Sequence, residues 1–252
     1  MFNEHPPSPE TSPSCWQRTT HRMQDGCYQA MAATCWDSIV TGFRPGRVRA
    51  MELLDIQPSD HILCVGEGSG LDFDCLPPST NPTTVWAFDF SSRMVSEMKR
   101  RAAQYHIPDA HCMLGDAQRL PFPPEQRFHK IYFPLSLASI PHPHMALREA
   151  ERVLAPNGRI VIFEKLVDDD THLSLTRRCI GAFTQCIFAD ITRNLTQMLG
   201  DNPTLKITHY ESTEGQLTGC MTRRIGAYYR LAVLVRRTEY PQLAPQRAEL
   251  VS

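Results

Sequence analysis

Short apolar runs alternate with helix-like segments through the middle of the chain. Strands are predicted at 61–65, 85–90, 110–114, 129–135 and 158–165, and helices at 44–56, 91–106 and 145–154. In the second helix Met94, Val95 and Met98 recur at helical spacing, and Ser91 and Ser92 are N-cap candidates. Strands and helices in this alternation predict a mostly parallel sheet with helices on both faces.

The pattern changes after Lys165. Apolar residues between Leu173 and Leu199 predict one long helical region, and two further strands follow at 205–212 and 227–237. Because no long helix separates these last two strands, we expect them to be antiparallel neighbours. The turn 155–158 is expected to separate the preceding helix from the strand at 158–165.

The two ends of the chain differ in composition from its middle. Residues 1–14 are rich in Pro, Ser and Thr and predict a disordered leader, and residues 238–252 predict a flexible tail. Between them there is no repeat and no low-complexity linker. We therefore predict one folded domain over 15–237.

Composition and charge narrow the classes of function. The 252 residues carry 26 basic and 27 acidic side chains, so no overall field attracts the protein to nucleic acid. The longest stretch without these charges, 131–147, is interrupted by prolines and predicts no membrane-spanning helix. The first residues lack a secretory pattern, so a cytoplasmic location is expected. The nine cysteines form no CxxC pair and no ligand spacing with histidine, which predicts reduced thiols and no metal site.

A glycine-rich loop, Gly66-Glu67-Gly68-Ser69-Gly70, directly follows the first predicted strand. Glycines at alternate positions let the backbone approach a nucleotide closely. The G-x-G-x-x-G spacing for a pyrophosphate would need a third glycine at position 71, which is Leu71. The loop therefore favours a nucleoside without a pyrophosphate over a nicotinamide or flavin cofactor.

Two acids follow the next two predicted strands. Asp89 ends the second strand, where a carboxylate can accept hydrogen bonds from both hydroxyls of a ribose. Asp116 lies in Leu114-Gly115-Asp116-Ala117 after the third strand, where it can accept a hydrogen bond from an adenine amine. Each acid alone is equally well explained as a helix-start or turn residue. Taken together and in this order, the glycine loop and the two acids at the ends of three successive strands favour one crevice that binds a nucleoside.

These segments resemble a known family. Over about residues 36–237 the chain is similar to class I S-adenosylmethionine-dependent methyltransferases. The successive motifs that carry the similarity are ILCVGEGSGLD, FDFSSRMVSEMKRRA, LGDAQRLPFP and REAERVLAPNGRIVIFEK. WDSIVTGFRPGR and LPFP most resemble the ubiquinone/menaquinone C-methyltransferases and phosphatidylethanolamine N-methyltransferases. The resemblance implies a Rossmann-like α/β fold, a seven-stranded, mostly parallel sheet with a reversed last strand, and S-adenosyl-L-methionine as cofactor.

The resemblance also implies which residues hold the cofactor. The glycine loop is expected against the methionine and ribose, Asp89 on the ribose hydroxyls, and residues after the second and third strands around the adenine. The end of the fourth strand is expected to border the point of methyl transfer. The implied cofactor-binding residues are Gly66, Glu67, Gly68, Gly70, Asp89, Phe90, Met94, Asp116, Ala117 and Phe133.

The acceptor side carries weaker signals. By the same resemblance it is built from residues 15–45 and a helical insertion at 166–204. Candidate pocket residues are Ser136 and the aromatic residues Tyr28, Trp36 and Tyr132, although such aromatics are also typical of a hydrophobic core. His142 and His144 are candidate proton acceptors, although the same residues are also typical of an exposed turn. An activated methyl group makes a catalytic base unnecessary.

Three functions remain open from the sequence. The preferred one is methyl transfer to O, N or C of a small-molecule, secondary-metabolite acceptor, because no basic or amphipathic membrane-binding segment is evident. The alternatives are a phospholipid or quinone acceptor, which leaves peripheral membrane contact open, and a non-catalytic subunit that binds the cofactor. No nucleic acid partner is expected.

Overall fold

The computed structural model describes residues 41–123, 125–167, 193–200, 204–213 and 229–237. Its strands are β1 Ile62–Val65, β2 Val85–Asp89, β3 Cys112–Leu114, β4 Phe128–Pro134, β5 Leu154–Lys165, β6 Leu205–Ser212 and β7 Tyr229–Arg236. Its α-helices are α1 Arg44–Leu54, α2 Ser92–Ala102, α3 Pro143–Val153 and α4 Leu195–Leu199. The leader, the tail, Tyr28, Trp36 and most of the insertion at 166–204 lie outside the described residues.

The strands form one seven-stranded sheet in the order β3-β2-β1-β4-β5-β7-β6. The pairs β1–β2, β1–β4, β2–β3 and β4–β5 are parallel, whereas β7 is antiparallel to both β5 and β6. The reversed last strand and the antiparallel β6–β7 pair are therefore confirmed. The sheet places the carboxyl ends of β1 to β5 along one edge.

Two apolar cores pack on opposite faces of the sheet, as the alternation of strands and helices predicts. Along β1, Ile62 and Cys64 face the core that holds α1 and α2, while Leu63 and Val65 face the core that holds α3. This alternation follows from the two-residue period of a strand. All four side chains are fully buried, so β1 is covered on both faces of the sheet.

The segment between β1 and β2 contains short 3-10 helices, Leu71–Cys75 and Pro82–Thr84. No α-helix lies in this fully described segment between β1 and β2, which agrees with the predicted order of strand, loop, strand and helix. The helix after β2 begins with Ser91, whose side-chain oxygen accepts a hydrogen bond from the Met94 backbone N–H at 3.5 Å. Of the two N-cap candidates, Ser91 is the cap.

Two predicted boundaries are wrong. Residues 155–158 belong to β5, which begins at Leu154 directly after α3, because Leu154 already pairs with Phe128 before the register of β4 and β5 shifts. The helix predicted over 173–199 is wrong at residues 193 and 194, which are not helical, and residues 173–192 lie outside the described residues. There the Val167 N–H donates to the Arg193 carbonyl at 2.8 Å, and Asn194 caps α4 by accepting from the Gln197 N–H at 3.1 Å.

Within the part of the chain that the structure describes, no helix has the length and apolar character needed to cross a bilayer.

Candidate functional site

The candidate site lies where the chain reverses its progress across the sheet. From β1 the chain moves outward through β2 to β3, and it then returns to β4 on the other side of β1. A crevice forms at the carboxyl ends of the strands at such a switch point, because the two loops leave in opposite directions. Here these loops are 66–70 after β1 and 135–138 after β4.

Gly66 is a point of close approach between the two loops. Its φ is 74°, and a Cβ atom at this position would lie 2.3 Å from the Cβ of Ser136. Ser136 is buried, and its hydroxyl donates to the Val65 carbonyl at 2.7 Å. Gly66 also donates its N–H to the Phe88 carbonyl at 2.7 Å. The loop is therefore tied to both neighbouring strands and needs glycine at its first position.

Asp89 connects the glycine loop to the start of α2. Its side chain is only 6% exposed. One carboxylate oxygen accepts from the Gly68 N–H at 2.9 Å, and the other accepts from the Ser91 N–H at 2.9 Å. The backbone carbonyl of Asp89 accepts from the Gly115 N–H at 2.9 Å. The structure thus brings together the ends of β1, β2 and β3 around one buried carboxylate.

Gln118 joins the third of these strand ends to the loop after β4. Its side-chain amide donates to the exposed Asp116 carboxylate at 2.9 Å, and its carbonyl oxygen accepts from the His142 backbone N–H at 3.0 Å. Sequence analysis missed this residue, because an amide in a polar turn carries no distinctive signal. The link closes the side of the crevice where the adenine is predicted.

The remaining predicted cofactor residues differ in exposure. Phe90 is half-buried directly after β2, and Ala117 is buried beside Asp116. Met94 and Phe133 are fully buried in the protein interior, so any contact with a ligand would require these side chains or their neighbours to move. The cofactor roles of all the predicted residues stay predictions.

His142 and His144 lie at the start of α3, with ring centroids 5.8 Å apart. Burial, together with the neighbouring His142 and two arginines, lowers the pKa of His144 below its ordinary value. His144 is therefore neutral at physiological pH, and its side chain is exposed.

A polar cluster that sequence analysis missed lies beneath the glycine loop. Arg47 of α1 forms a buried ion pair with Asp72 of the 3-10 helix after the loop. Glu67 is 4% exposed, and one of its carboxyl oxygens accepts from the Asp72 N–H at 3.0 Å. The other oxygen is buried without a hydrogen-bond partner among the described residues, as is the hydroxyl of Tyr132.

The environment of Glu67 disfavours its charged form. Burial and, to a smaller extent, the nearby Asp89 carboxylate raise its pKa to about 8, against the opposing effects of Arg47, a hydrogen bond from the Cys64 thiol and Arg101. Arg47 is already paired with Asp72, so its charge compensates two acids at once. Glu67 is therefore largely protonated at neutral pH.

A second buried acid, Glu164, lies at the carboxyl end of β5. It is 3% exposed, and its carboxyl oxygens accept from the N–H groups of Ala138 at 2.9 Å and Lys165 at 2.8 Å. Burial raises its pKa to about 7, against the effects of these two hydrogen bonds and of Arg193. Glu164 thus ties the loop after β4 to β5 at the edge of the crevice.

Glu164 is expected to make the protein less stable as the pH rises. Its pKa is about 7 when folded and 4.5 ordinarily, so the folded state binds a proton that the unfolded state loses between these values. The free energy of unfolding should fall by on the order of 3 kcal/mol from about pH 5 to about pH 8. Urea denaturation across this range measures it. Glu67, whose pKa is also raised, adds a fall of its own over this range, so Glu164→Gln should reduce the slope without removing it. An unchanged slope in the variant would contradict the assignment.

Comparisons with known proteins agree with this geometry. Residues 62–158 match a family described as a methyltransferase domain. A ubiquinone/menaquinone biosynthesis C-methyltransferase of Methylobacterium nodulans is 28% identical over 130 residues, which cover 51% of this chain and 48% of that protein. The chain thus spans about half the length of the curated relatives it matches.

Solved structures show the same fold at low sequence identity. The methyltransferase in a complex with the Haloferax volcanii Trm112 methyltransferase activator has a TM-score of 0.62 at 16% identity, covering 82% of this chain and 96% of that one. Geranyl diphosphate C-methyltransferase from Streptomyces coelicolor A3(2), in complex with Mg²⁺, geranyl diphosphate and S-adenosyl-L-homocysteine, has a TM-score of 0.56 at 18% identity, covering 74% of this chain and 78% of that one.

In the described residues of the present chain, no group of three or more potential ligands could hold a metal ion.

Proposed function

This chain carries a class I methyltransferase domain, and we propose that it transfers the methyl group of S-adenosyl-L-methionine to O, N or C of a small-molecule acceptor. The observation that carries the proposal is the contact between the glycine loop and Asp89 at the switch point of the sheet. The Gly68 N–H donates to this carboxylate at 2.9 Å, so the loop and the predicted ribose acceptor form one unit.

The chemistry of the site fits this cofactor. The carboxyl ends of β2 and β3 present two acids, Asp89 and Asp116. A carboxylate accepts hydrogen bonds from a ribose diol and from an adenine amine. Acids in this arrangement favour a cofactor with a positive charge and would repel a pyrophosphate. The fit therefore supports a sulfonium nucleoside over a dinucleotide.

The residues of the chain would act mainly by binding and orientation. The bound cofactor supplies an activated methyl group on a sulfonium. Asp89 would hold the nucleoside at one end of the crevice, while the loop after β4, fixed by Ser136 and Glu164, would border the acceptor. Alignment of the acceptor with the methyl group and exclusion of water would then supply most of the rate enhancement.

For the acceptor we favour a secondary metabolite without a long prenyl or acyl chain. The names of the curated relatives support a second candidate, a quinone precursor. The two candidate acceptors differ in how much apolar surface of the acceptor the pocket must cover. Incubation with tritiated S-adenosylmethionine separates them, with aromatic metabolites as one set of acceptors and demethylmenaquinone in detergent as the other.

Calorimetric titration with S-adenosylmethionine, S-adenosylhomocysteine and NADH tests the cofactor directly. We expect both adenosyl compounds to bind and NADH to give no heat. Binding of NADH alone would overturn the proposal. Binding of the adenosyl compounds without labelling of any acceptor from either set or from a lipid extract would favour the alternative of a non-catalytic subunit.

His142→Ala should leave turnover of the identified acceptor within a few-fold of wild type. Its backbone N–H, which a substitution to alanine retains, is the group that contacts Gln118, and an activated methyl group needs no general base. Steady-state kinetics give the comparison. A loss of more than about a hundredfold, the scale of general acid–base catalysis, would instead make the imidazole a proton acceptor.

A further inference from the structure

The cluster beneath the glycine loop contains more acid than base. Glu67 lies in the loop itself, and its side chain points toward the core that holds α1 and α2, where it contacts the Asp72 backbone. The charged and titratable groups around it come from every neighbouring element: Cys64, Arg47, Asp72, Asp89, Arg101 and Tyr132. Of the two arginines, Arg47 is bound to Asp72.

A buried acid in this position is stable only when neutral. One oxygen of Glu67 and one oxygen of Asp72 have no N–H or O–H donor among the described residues, and the only further donor beside Glu67 is the weak thiol donor of Cys64. A buried carboxylate oxygen without a donor pays the full cost of desolvation, whereas a proton on Glu67 removes the charge and supplies a donor. The raised pKa of Glu67 agrees with this state.

An added positive charge would reverse this preference. Asp89 lies beside Glu67, because the Glu67 N–H donates to the Phe88 carbonyl at 3.1 Å and the Gly68 N–H donates to the Asp89 carboxylate at 2.9 Å. The charge of Asp89 accordingly raises the pKa of Glu67. Asp89 is also the predicted contact of the nucleoside. A ligand held by Asp89 and the glycine loop would therefore bring its own charge close to Glu67 in a site of low dielectric constant, where one positive charge favours the carboxylate.

We propose that Glu67 is a specificity-determining residue that distinguishes the sulfonium form of the cofactor from its neutral thioether product by losing its proton only when the sulfonium form binds. The inference rests on the proposed function. Binding of S-adenosylmethionine transfers one proton from Glu67 to solvent. In methyl transfer the carbon–sulfur bond breaks with its electron pair left on sulfur, a bond from the acceptor to the methyl carbon forms, and the acceptor proton leaves to solvent. Glu67 then takes a proton back as the thioether departs.

Calorimetry in two buffers of different ionisation enthalpy counts the released protons. Wild-type protein at about pH 7 should release close to one proton per S-adenosylmethionine bound and far less per S-adenosylhomocysteine. The affinity for S-adenosylmethionine should rise by up to about tenfold per pH unit below about pH 8 and level off above it, whereas the affinity for S-adenosylhomocysteine should change little.

Two isosteric variants locate the proton. Glu67→Gln imitates the neutral acid and keeps an acceptor for the Asp72 N–H, so it should fold, bind S-adenosylmethionine without proton release and lose the pH dependence. Glu164→Gln replaces the other buried acid of raised pKa, outside the glycine loop, and should retain both. Carbon-13 NMR of the Glu67 carboxyl in wild-type protein should show loss of its proton on addition of S-adenosylmethionine.

The outcomes separate the inference from the function on which it rests. Wild-type protein that binds S-adenosylmethionine without releasing a proton would overturn the inference alone. Undiminished proton release by Glu67→Gln would also overturn it. If folded wild-type protein binds neither adenosyl compound, the proposed function fails, and the inference fails with it.

Discussion

Asp89→Ala is expected to reduce the affinity for S-adenosylmethionine by a hundredfold or more while the protein remains folded. The substitution removes the predicted acceptor of two ribose hydroxyls, and hydrogen bonds to a charged group contribute about 1.5 to 3 kcal/mol each. It also releases the N–H groups of Gly68 and Ser91, which the carboxylate now holds at 2.9 Å. The loop and the start of α2 would therefore lose their common anchor.

Calorimetry on the folded variant, with circular dichroism to verify the fold, measures this effect. Asp116→Asn is a matched control, because Asp116 is an exposed acid at the end of the neighbouring strand and an amide keeps one acceptor oxygen. It should weaken binding by less than about tenfold. Unchanged affinity in folded Asp89→Ala would refute the role of this residue in cofactor binding.

Gly66→Ala is expected to destabilise the domain by about 3 kcal/mol and to reduce cofactor binding strongly. The added methyl group would lie 2.3 Å from the Cβ of buried Ser136, and the backbone is left-handed, with φ of 74°. Overpacking costs about 1 to 3 kcal/mol, and a left-handed non-glycine residue adds about 1 kcal/mol or more. Relief of the clash must displace the glycine loop or the loop after β4.

Gly200→Ala separates the two causes. Gly200 also has a positive φ, 54°, but a Cβ there would meet no atom of the described residues closer than 3.8 Å. Its ψ of −144° lies outside the left-handed helical region, so this control should cost backbone strain of about 1 to 3 kcal/mol and leave S-adenosylmethionine affinity unchanged. Chemical denaturation and calorimetry on both variants give the comparison. Wild-type affinity in folded Gly66→Ala would show that the contact with Ser136 is unimportant.

The sequence predicted the strands well because each is a short apolar run bounded by turn residues. The strand at 205–212 matches β6 at both ends, and the strand at 61–65 differs from β1 by one residue. Errors arose where a tertiary contact opposed the local pattern. The spacing of the apolar residues Ile191 and Leu195 predicts one continuous helix. Residues 193 and 194 are instead not helical, and the Val167 N–H donates to the Arg193 carbonyl.

The candidate site was predicted in part. Glycine spacing and the acids after two strands are local signals, and the structure brings those residues to one edge of the sheet. Two features of the site have no local signal, namely the buried ion pair of Arg47 and Asp72 and the neutral state of Glu67. Both depend on contacts between α1, the glycine loop and β4. No local pattern reports how deeply a carboxyl group is buried. Tyr28 and Trp36 lie outside the described residues, and their roles remain predictions.

The position of β7 has a consequence for biosynthesis. Although β7 follows β6 in the chain, it lies between β5 and β6 in the sheet, and β6 pairs with no other described strand. A nascent chain that has left the ribosome only as far as residue 212 therefore has β1 to β5 available to assemble, while the edge of β5 and the whole of β6 await residues 229–236. Since domains form progressively during translation and open strand edges promote aggregation, the new polypeptide exposes an aggregation-prone edge during this interval.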